Sequence, residues 1–449
     1  MLKRLFKYLS PAMPGTKHTI IPRERHHLSH RQVSRAALKT MERLQEDGYQ
    51  AYLVGGGVRD SLLDGKPKDF DVATDATPEQ VRRLFRNSRI IGRRFKIVHV
   101  RFGRETIEVT TFRANHDAQS DSQRSKQSQE GMLLRDNVFG DMRSDALRRD
   151  FTVNALYYTS EDDSIHDYTG GMQDLKNHKL RMIGDPKTRY QEDPVRMLRA
   201  VRFAAKLDFE IESKTAAPIR KMAPLLRNIP AARLFDEMLK LFMSGQAEDT
   251  FHELREYDLL EQLIPAAEEA IMAGDEKVLA LFEQAMINTD TRIHNDQRVT
   301  PAFIVATFLW PAVVKEQLRV EQEGEAPARA HNLAAHEVIS RQIQHTAIPK
   351  RFTQSAREIW ELQARLPMRS GKRAERLVEH PRFRAAYDFL LMREQAGEDH
   401  QGLGKWWTTY QQKDEDGRQE MVDKLQRSGP GRSKPNRRRR GPRTTPAES

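Results

Sequence analysis

Cysteine is absent from this chain of 449 residues. The absence excludes disulfide bonds and thiolate metal sites, and it is compatible with a reducing cytoplasm. Long apolar runs are missing too: no stretch of about 18 apolar residues occurs, so the sequence predicts no membrane-spanning helix. The start of the chain, Met1–Leu9, is basic and amphipathic and lacks the apolar region of a secretory signal. We expect a frayed terminus there, with weak contact with a membrane surface as the alternative.

Hydrophobic residues are scarce, and acidic residues are outnumbered by basic ones. Hydrophobic residues make up 38% of the chain and the net charge is +11. Such a basic excess favours a polyanionic partner, nucleic acid or an anionic membrane surface, although a basic protein without one has the same composition. Between Arg427 and Arg443 there are eight basic residues and no acidic one, among glycines and prolines. This end cannot bury a core, so we expect a disordered tail.

Two carboxylates separated by one residue, Asp69 and Asp71, are the most informative positive feature. In a strand, alternate side chains point to one face, so both aspartates would project together while Phe70 packs in the core. Two such carboxylates repel each other unless a cation lies between them, and divalent ions for phosphoryl chemistry are held in this way. The spacing alone is more often that of a solvated edge strand. The motifs around it favour the metal site.

A glycine turn precedes the two aspartates. It is the run Gly55-Gly56-Gly57-Val58-Arg59-Asp60. A predicted strand over residues 51–54 leads into it, and its backbone N–H groups suit an anionic phosphate. The run lacks the Gly-Lys-Ser/Thr of a P-loop and the spacing of a dinucleotide fingerprint, so neither of those sites is predicted.

Hydrophobic spacing predicts a mixed α/β region at the start of the chain. A helix is expected from about Ser29 to Asp47, and Thr77-Pro78 begins another. The segments 95–102 and 106–112 read as a hairpin, which places Glu108 on the predicted sheet.

The chain beyond the hairpin is predicted to be polar at first and then helical. Residues 115–131 have no buried-face pattern and predict a surface loop. Ser144 is expected to begin a helix that continues to Tyr157, which would put Asp150 and Asn154 on one face. From about Asp193 the pattern is almost wholly helical.

Basic residues recur along one flank of the helix that follows Asp193. Asp193 is the expected N-cap, with a proline at the first helical position. Arg196, Arg199 and Arg202 then repeat every three residues. A carboxylate and a guanidinium there could present fixed donors and acceptors to a base edge. The alternative is a capped helix with solvated basic groups.

These motifs occur in an order that resembles a known family. The succession is Leu53-Val54-Gly55-Gly56-Gly57-Val58-Arg59-Asp60, Asp69-Phe70-Asp71, Arg148-Arg149-Asp150-Phe151-Thr152-Val153-Asn154-Ala155-Leu156 and Glu192-Asp193-Pro194-Val195-Arg196. It resembles the class II nucleotidyltransferases, which comprise CCA-adding enzymes and bacterial poly(A) polymerases. Ile90-Ile91-Gly92-Arg93-Arg94-Phe95 followed by His99-Val100 looks like the signature of the bacterial poly(A) polymerases, and so does the arginine-rich end.

The resemblance implies an α+β fold and a domain order. The fold is a small N-terminal nucleotidyltransferase head with a mixed or antiparallel sheet, followed by an all-α neck and body and a disordered basic tail. The expected segments are a flexible arm (residues 1–25), the catalytic head (26–160), a nucleotide-selecting and RNA-binding neck (161–245), an RNA-binding body (246–425) and the tail (426–449).

The resemblance also implies a reaction and its partners. The expected reaction is template-independent addition of AMP from ATP to RNA 3′ ends, with pyrophosphate release and two metal ions, Mg²⁺ or alternatively Mn²⁺. Expected partners are messenger and regulatory RNA, decay intermediates and the RNA-decay machinery, in the bacterial cytoplasm. The rival interpretations are a CCA-adding tRNA nucleotidyltransferase and a non-catalytic RNA-binding protein.

The expected site residues fall into three groups. The catalytic carboxylates are Asp69, Asp71, Glu108 and Asp150, of which Asp69 and Asp71 are the metal ligands. The nucleotide-binding residues are Gly55, Gly56, Gly57, Arg59, Asp60, Arg148, Arg149, Asn154, Asp193, Arg196, Arg199 and Arg202. The RNA-binding residues are Arg93, Arg94, Arg437, Arg438, Arg439 and Arg440.

Several of these roles stay open at the level of sequence. Glu108 is equally explained as a solvent-facing hairpin residue. Asp150 fits metal binding, ribose contact or orientation of the arginines before it. His99, within a predicted strand, is interpreted as a packed or hydrogen-bonded histidine and not as a ligand. The pair Trp406-Trp407 is interpreted as packing a terminal helix, with the stacking of RNA bases as the alternative.

Overall fold

A mixed β-sheet organises the N-terminal part of the protein. The computed structural model describes residues 18–67, 69–92, 96–114, 125–127, 133–136 and 139–428. Its strands are β1 (Thr19–Ile21), β2 (Ala51–Val54), β3 (Asp71–Thr74), β4 (Ser88–Ile91), β5 (Ile97–Phe102), β6 (Glu105–Thr111), β7 (Ser125–Gln127), β8 (Leu133–Asp136), β9 (Leu156–Tyr158), β10 (Ile165–Asp167), β11 (Lys179–Leu180) and β12 (Glu210–Ile211). The main sheet has the order β1-β10-β9-β2-β3-β6-β5-β4. Its neighbours pair antiparallel except β3 and β6, which run parallel.

Helices accompany the sheet and make up the chain beyond it. They are α1 (Arg35–Glu46), α2 (Gly56–Leu62), α3 (Pro78–Leu84), α4 (Met142–Arg148), α5 (Gly171–Lys176), α6 (Pro186–Glu192), α7 (Val195–Leu207), α8 (Ser213–Ala216), α9 (Ile219–Met222), α10 (Ala231–Phe242), α11 (Ala247–Glu256), α12 (Leu260–Leu263), α13 (Pro265–Met272), α14 (Glu276–His294), α15 (Pro301–Gln322), α16 (Pro327–His345), α17 (Lys350–Arg365), α18 (Arg373–Val378), α19 (Phe383–Gln395), α20 (Leu403–Gln412) and α21 (Glu415–Ser428). A head with a mixed sheet followed by a helical body confirms the predicted fold class. No helix in this described part combines the length and apolar character needed to cross a membrane.

The protein forms two compact units. The first comprises Met1–Glu269, Met286–Val299 and Ser340–Ile348, and it contains the sheet. The second comprises Ala270–Ala285, Thr300–Ile339 and Pro349–Ser449. The finer divisions expected at residues 160, 245 and 425 stay predictions.

Local sequence signals account for the early elements. The Ser34 hydroxyl accepts a hydrogen bond from the N–H of Ala37 and so caps α1. Thr77 and Gln80 form the predicted capping box of α3. The hairpin of β5 and β6 turns at Gly103, whose φ of 62° lies in the left-handed region.

Three local predictions were wrong. The strand expected from Asp69 begins at Asp71. The helix expected from Ser144 to Tyr157 ends at Arg148, and a short 3₁₀ turn and β9 follow, because the apolar residues that end this stretch lie inside the sheet. The N-cap of α4 is Asp141, with Ser144 in its capping box.

Two segments predicted to be irregular contain strands. Thr19–Ile21, within the expected arm, pairs with β10 at the edge of the sheet. Ser125–Gln127, within the expected loop, pairs with β8.

Candidate active site

Asp71 lies at the start of β3, next to two other carboxylates. The parallel register pairs it with Glu108 on β6, which confirms that both residues belong to one sheet. Asp69 stands two residues earlier and is exposed, whereas Phe70 between them is buried. The burial alternates along the chain as predicted, although only Asp71 is part of the strand.

The three carboxylates influence one another electrostatically. Burial raises the pKa of Asp71 to about 6, and the negative charges of Glu108 and Asp69 add to this, while Arg149 opposes it. A carboxyl group with such neighbours gains from a cation, so the donor set fits a hard divalent ion. The described residues contain no cluster of three or more acidic, histidine or cysteine side chains arranged for a metal. Mg²⁺ is commonly bound by one or two carboxylates, with substrate phosphates and water completing its coordination shell.

Glu108 has a protein partner of its own. Its Oε1 lies 3.1 Å from Nε2 of His99 on the adjacent strand β5. This contact confirms the prediction that His99 is a hydrogen-bonded histidine.

The glycine turn packs against the carboxylate segment. Gly55 follows β2 and has a φ of 77°, and a Cβ built there would lie 3.8 Å from both Nη1 of Arg149 and Oδ2 of Asp71. A Cβ on Gly57 would lie 3.2 Å from the ring of Phe70. The turn therefore brings its backbone close to an arginine and an aspartate, as a phosphate-binding turn beside a metal site requires.

Asp145, which the sequence analysis missed, holds both arginines of the Arg148-Arg149 pair. Arg148 Nη2 lies 2.5 Å from its Oδ1, and Arg149 Nη2 lies 3.0 Å from its Oδ2. The Tyr157 hydroxyl donates to the same carboxylate at 2.7 Å. Asp145 is 1% exposed. Burial alone would raise its pKa, but the two guanidinium groups hold that pKa well below its usual range.

A second polar network contains Asp150. Arg59, only 2% exposed, donates from Nη1 to Oδ1 of Asn154 at 2.5 Å, and Asn154 Nδ2 donates to Oδ1 of Asp150 at 3.2 Å. Arg199 Nη2 lies 2.5 Å from Oδ2 of Asp150. Burial opposes ionisation of Asp150, but Arg199 keeps the pKa of this carboxyl well below its usual range. Asp150 is thus engaged with an arginine of α7. Asn154 meets it across a turn, not along the expected helix.

The network extends to Asp60. This carboxylate lies 2.5 Å from Nη2 of Arg59 and 3.0 Å from Nζ of Lys206. The predicted nucleotide-binding residues Arg59 and Asp60 therefore lie in contacts between α2 and α7.

The ring of Phe203 is surrounded by three arginines. The Cζ atoms of Arg59, Arg199 and Arg202 lie 5.0, 5.2 and 4.8 Å from its centroid. Arg202 Nε is buried and has no hydrogen-bond partner among the described residues. Burial lowers the pKa of Arg202, and the neighbouring Arg199 lowers it further. Positive charge is therefore concentrated beside α7, as an anionic substrate requires.

The side chains of Asp193 and Arg196 have separate ion-pair partners. Asp193 Oδ2 lies 2.7 Å from Nη2 of Arg233, which belongs to α10. Arg196 Nη1 lies 2.8 Å from Oε2 of Glu192. Asp193 also precedes α7 by one position more than expected, although its Oδ1 still accepts from the N–H of Val195 at 3.3 Å.

The remaining predicted residues lie outside the described chain. These are Arg93, Arg94, Arg437, Arg438, Arg439 and Arg440. Conversely, two residues that hold the site together, Asp145 and Arg233, were not predicted from the sequence. Asp145 had a signal, because it stands three and four positions before the paired arginines. Arg233 had none, since its partner lies forty residues away.

Known families match most of the chain. A family model described as the poly A polymerase head domain matches residues 51–181, and one described as a probable RNA and SrmB-binding site of polymerase A matches residues 208–271. A third, the polymerase A arginine-rich C-terminus, matches residues 323–444. The head match contains the glycine turn, the aspartates and Asp150.

Two poly(A) polymerases match the chain over nearly its full length, and a CCA-adding enzyme matches about half of it. Poly(A) polymerase I of Escherichia coli O6:H1 is 50% identical over 430 residues, covering 95% of this chain and 92% of its own. Poly(A) polymerase I of Haemophilus influenzae is 48% identical over 422 residues, covering 93% of each chain. A CCA-adding enzyme of Lactobacillus helveticus is 36% identical over 248 residues, 55% of this chain and 58% of its own.

A solved structure shares the architecture. The Bacillus stearothermophilus CCA-adding enzyme in complex with CTP is 25% identical, with a TM-score of 0.54, and the match covers 87% of this chain and 80% of that one. Head sheet, glycine turn and aspartates thus define a nucleotidyltransferase. Within that class, the chain belongs to the poly(A) polymerase family.

Proposed function

We propose that this chain transfers AMP from ATP to the 3′-hydroxyl of RNA, repeatedly and without a template, and releases pyrophosphate. As a member of its family the chain is a polynucleotide adenylyltransferase. The family implies a nucleotide substrate and a divalent metal in general terms. The choice of ATP, Mg²⁺ and the residues below are our proposals. The single observation that carries them is the position of Asp71, which pairs in register with Glu108 on β6 and lies beside the glycine turn and Arg149.

Asp69 and Asp71 would hold the divalent ions. Bound there, such ions neutralise the charge of the triphosphate and lower the pKa of the attacking hydroxyl. The protein's own part is to keep the two carboxylates converging although they repel each other. Phe70 does this by anchoring the segment in the core between them.

Arg149 is the arginine best placed for the triphosphate. Its guanidinium lies beside Gly55 and Asp71, and Asp145 and Tyr157 Oη fix its orientation. A guanidinium held in this way loses little freedom when it binds a phosphate. Arg148 shares the carboxylate of Asp145 and forms the second half of this pair.

The Asp150 network would position the nucleotide indirectly. Asp150 fixes Arg199, and Asn154 links Asp150 to Arg59. The arginine that Asp150 orients is thus Arg199 on α7, whereas the two arginines that precede Asp150 are held by Asp145. Arg199 and Arg202 then offer cationic donors beside Phe203.

Selection of the base is assigned to Asp193 and Arg196. Each is held by a separate partner, Arg233 for the aspartate and Glu192 for the arginine. Two independently fixed groups present one arrangement of acceptor and donor, which suits a single base better than two.

An assay of nucleotide choice tests the proposal. Purified protein incubated with a generic RNA 20-mer and Mg²⁺ should form long tails with ATP and at most a few additions with CTP, GTP or UTP. Tail lengths are read on a sequencing gel. Addition of CCA to a tRNA that lacks its end, followed by a halt, would instead support the CCA-adding alternative. Failure to incorporate any nucleotide would support the non-catalytic one.

The stability of the metal-free protein should depend on Asp71 in a defined way. Its folded pKa of about 6 exceeds the unfolded value of about 3.9, so ionisation of Asp71 disfavours the fold and stability is lost as pH rises through this window. In EDTA, Asp71→Asn should therefore be more stable than wild type at pH 7.5, by up to about 3 kcal/mol. The difference should shrink towards pH 4.5. Thermal unfolding followed by circular dichroism measures it.

Magnesium supplies the matching test. Millimolar Mg²⁺ should raise the unfolding temperature of the wild type at pH 7.5, because an ion that binds only the folded state stabilises it, and should leave Asp71→Asn unchanged. Equal shifts in the two proteins would contradict the assignment of Asp71 as a metal ligand.

Partners and location complete the proposal. The match to an RNA-binding region and the net charge of +11 support RNA 3′ ends as the substrate. The bacterial relatives and the absence of cysteine support a cytoplasmic location. Contact with the RNA-decay machinery is part of the same proposal.

A further inference from the structure

Arg369, in the second unit, has no counter-ion among the residues that the structure describes. It lies in the loop between α17 and α18, and its Nε is buried without a hydrogen-bond partner in the described chain. Burial lowers the pKa of Arg369, and no carboxylate acts on it to offset that effect. Among the described residues it forms no ion pair. A half-buried guanidinium of this kind is costly unless a ligand supplies the missing charge.

Aromatic rings hold this guanidinium in place. The Arg369 Cζ lies 4.9 Å from the ring centroid of Trp406, which stacks on Tyr410 at 4.9 Å and 16°. Arg418 in turn lies over the ring of Tyr410, with its Cζ 5.4 Å from the ring centroid. Arg418 is tied to the backbone by a hydrogen bond from Nε to the Tyr410 carbonyl at 3.1 Å. The two stacked rings therefore have a cation at each end of the series of contacts, Arg369 on Trp406 and Arg418 on Tyr410.

The charge around Arg369 has one dominant sign. The segment 365–376 contains five basic residues and one acidic residue. Its basic residues are Arg365, Arg369, Lys372, Arg373 and Arg376. All except Arg369 are exposed, and Lys405, next to Trp406, is exposed as well. Such a patch attracts a polyanion.

The contacts around Trp406 and Arg369 also indicate which part of a polyanion would bind there. Arg369 and Tyr410 both lie against the ring of Trp406, and Trp407 packs edge-on to it at 4.9 Å, so three neighbours compete with a base for this tryptophan. The guanidinium N–H groups of Arg369 are hydrogen-bond donors, and their geometry matches phosphate oxygens.

We propose that Arg369, oriented by Trp406, binds a backbone phosphate of single-stranded RNA in the second unit. The inference rests on the proposed function for its substrate. It adds a site that is independent of the carboxylates in the first unit. Because the contact is to phosphate, it holds any RNA sequence, as polyadenylation of varied RNA requires.

A matched control lies in the same unit. Arg384 also stands over a ring, with its Cζ 5.6 Å from the centroid of Tyr387, but its Nε lies 3.0 Å from Oδ1 of Asp388. Arg384 therefore resembles Arg369 in lying over an aromatic ring, but it already has a counter-ion. Arg384→Gln should therefore leave RNA binding unchanged.

The experiment measures binding of the full-length protein to a fluorescent RNA 20-mer without ATP, by anisotropy, between 50 and 300 mM KCl. Arg369→Gln should weaken binding about fivefold at 0.1 M salt and reduce the slope of log affinity against log salt by about 0.7, the value for one phosphate contact. Arg369→Lys should restore the slope, since it keeps the charge.

The outcomes distinguish a phosphate site from a packing role of Arg369. If Arg369→Gln matches Arg384→Gln in affinity and slope, the site does not exist. If Arg369→Gln binds weakly and Arg369→Lys fails to restore the slope, the loss reflects packing and the proposal is overturned. Melting curves confirm that all variants are folded at the assay temperature. Incorporation of AMP by the wild type is scored separately, so a failure of the proposed reaction is distinguishable from a failure of this site.

Discussion

Replacing Asp71 with asparagine is expected to reduce adenylate incorporation by about a thousandfold or more, because the lost metal contact removes several kcal/mol of charge stabilisation. Asparagine keeps the size of the side chain and abolishes its charge. Asp69→Asn should have a similar effect. Single-turnover incorporation of labelled ATP into an RNA primer measures both variants. RNA affinity without ATP should stay within about twofold of wild type, since neither side chain is assigned to RNA binding.

Asp75→Asn is the matched control for these two variants. Asp75 follows the same strand, β3, and its carboxylate accepts a hydrogen bond from the N–H of Gln50 at 2.8 Å. This contact is exposed and structural, so the variant should incorporate AMP at close to the wild-type rate. Wild-type activity in Asp71→Asn, with Asp75→Asn also active, would require the catalytic metal site to be placed elsewhere in the chain.

The sequence predicted those parts of the fold that rest on local signals. The capping box of Thr77 and the Gly103 hairpin need only neighbouring residues, and both formed as predicted. The sequence also placed Asp71 and Glu108 in one sheet, which the structure confirms, but their direct pairing in parallel strands was not predicted. The helix beyond Ser144 was wrong because tertiary burial of its end in the sheet overrode the helical pattern.

The partners of the site residues were harder to foresee. Asp193 and Arg196 were predicted from their spacing as base-selecting groups, but the spacing did not reveal that Arg233 holds the aspartate. Asp150 pairs with Arg199, which is forty-nine residues distant. Many carboxylates and arginines along this chain could satisfy one another, and their choice depends on how the helices pack, which no local spacing encodes.

Asp145 carries the other large expected effect. Its carboxylate is buried, and it neutralises Arg148 and Arg149 while also accepting from Tyr157 Oη. Asp145→Asn would leave two guanidinium groups without their counter-ion, and breaking such a buried pair costs about 3–5 kcal/mol. We expect a clear fall in the unfolding temperature and a loss of activity, because Arg149 would no longer be held beside Gly55 and Asp71.

Asp141→Asn separates this effect from a general weakening of α4. Asp141 caps the same helix through the N–H of Ser144, but it is exposed and asparagine is also a good N-cap, so its replacement should cost well under about 1 kcal/mol. Differential scanning calorimetry compares the two variants, and the KM for ATP is measured in parallel at a temperature where both are folded. An Asp145→Asn protein with wild-type stability and wild-type KM would show that Arg148 and Arg149 are oriented by other groups, and the role given to Arg149 at the triphosphate would then lose its structural basis.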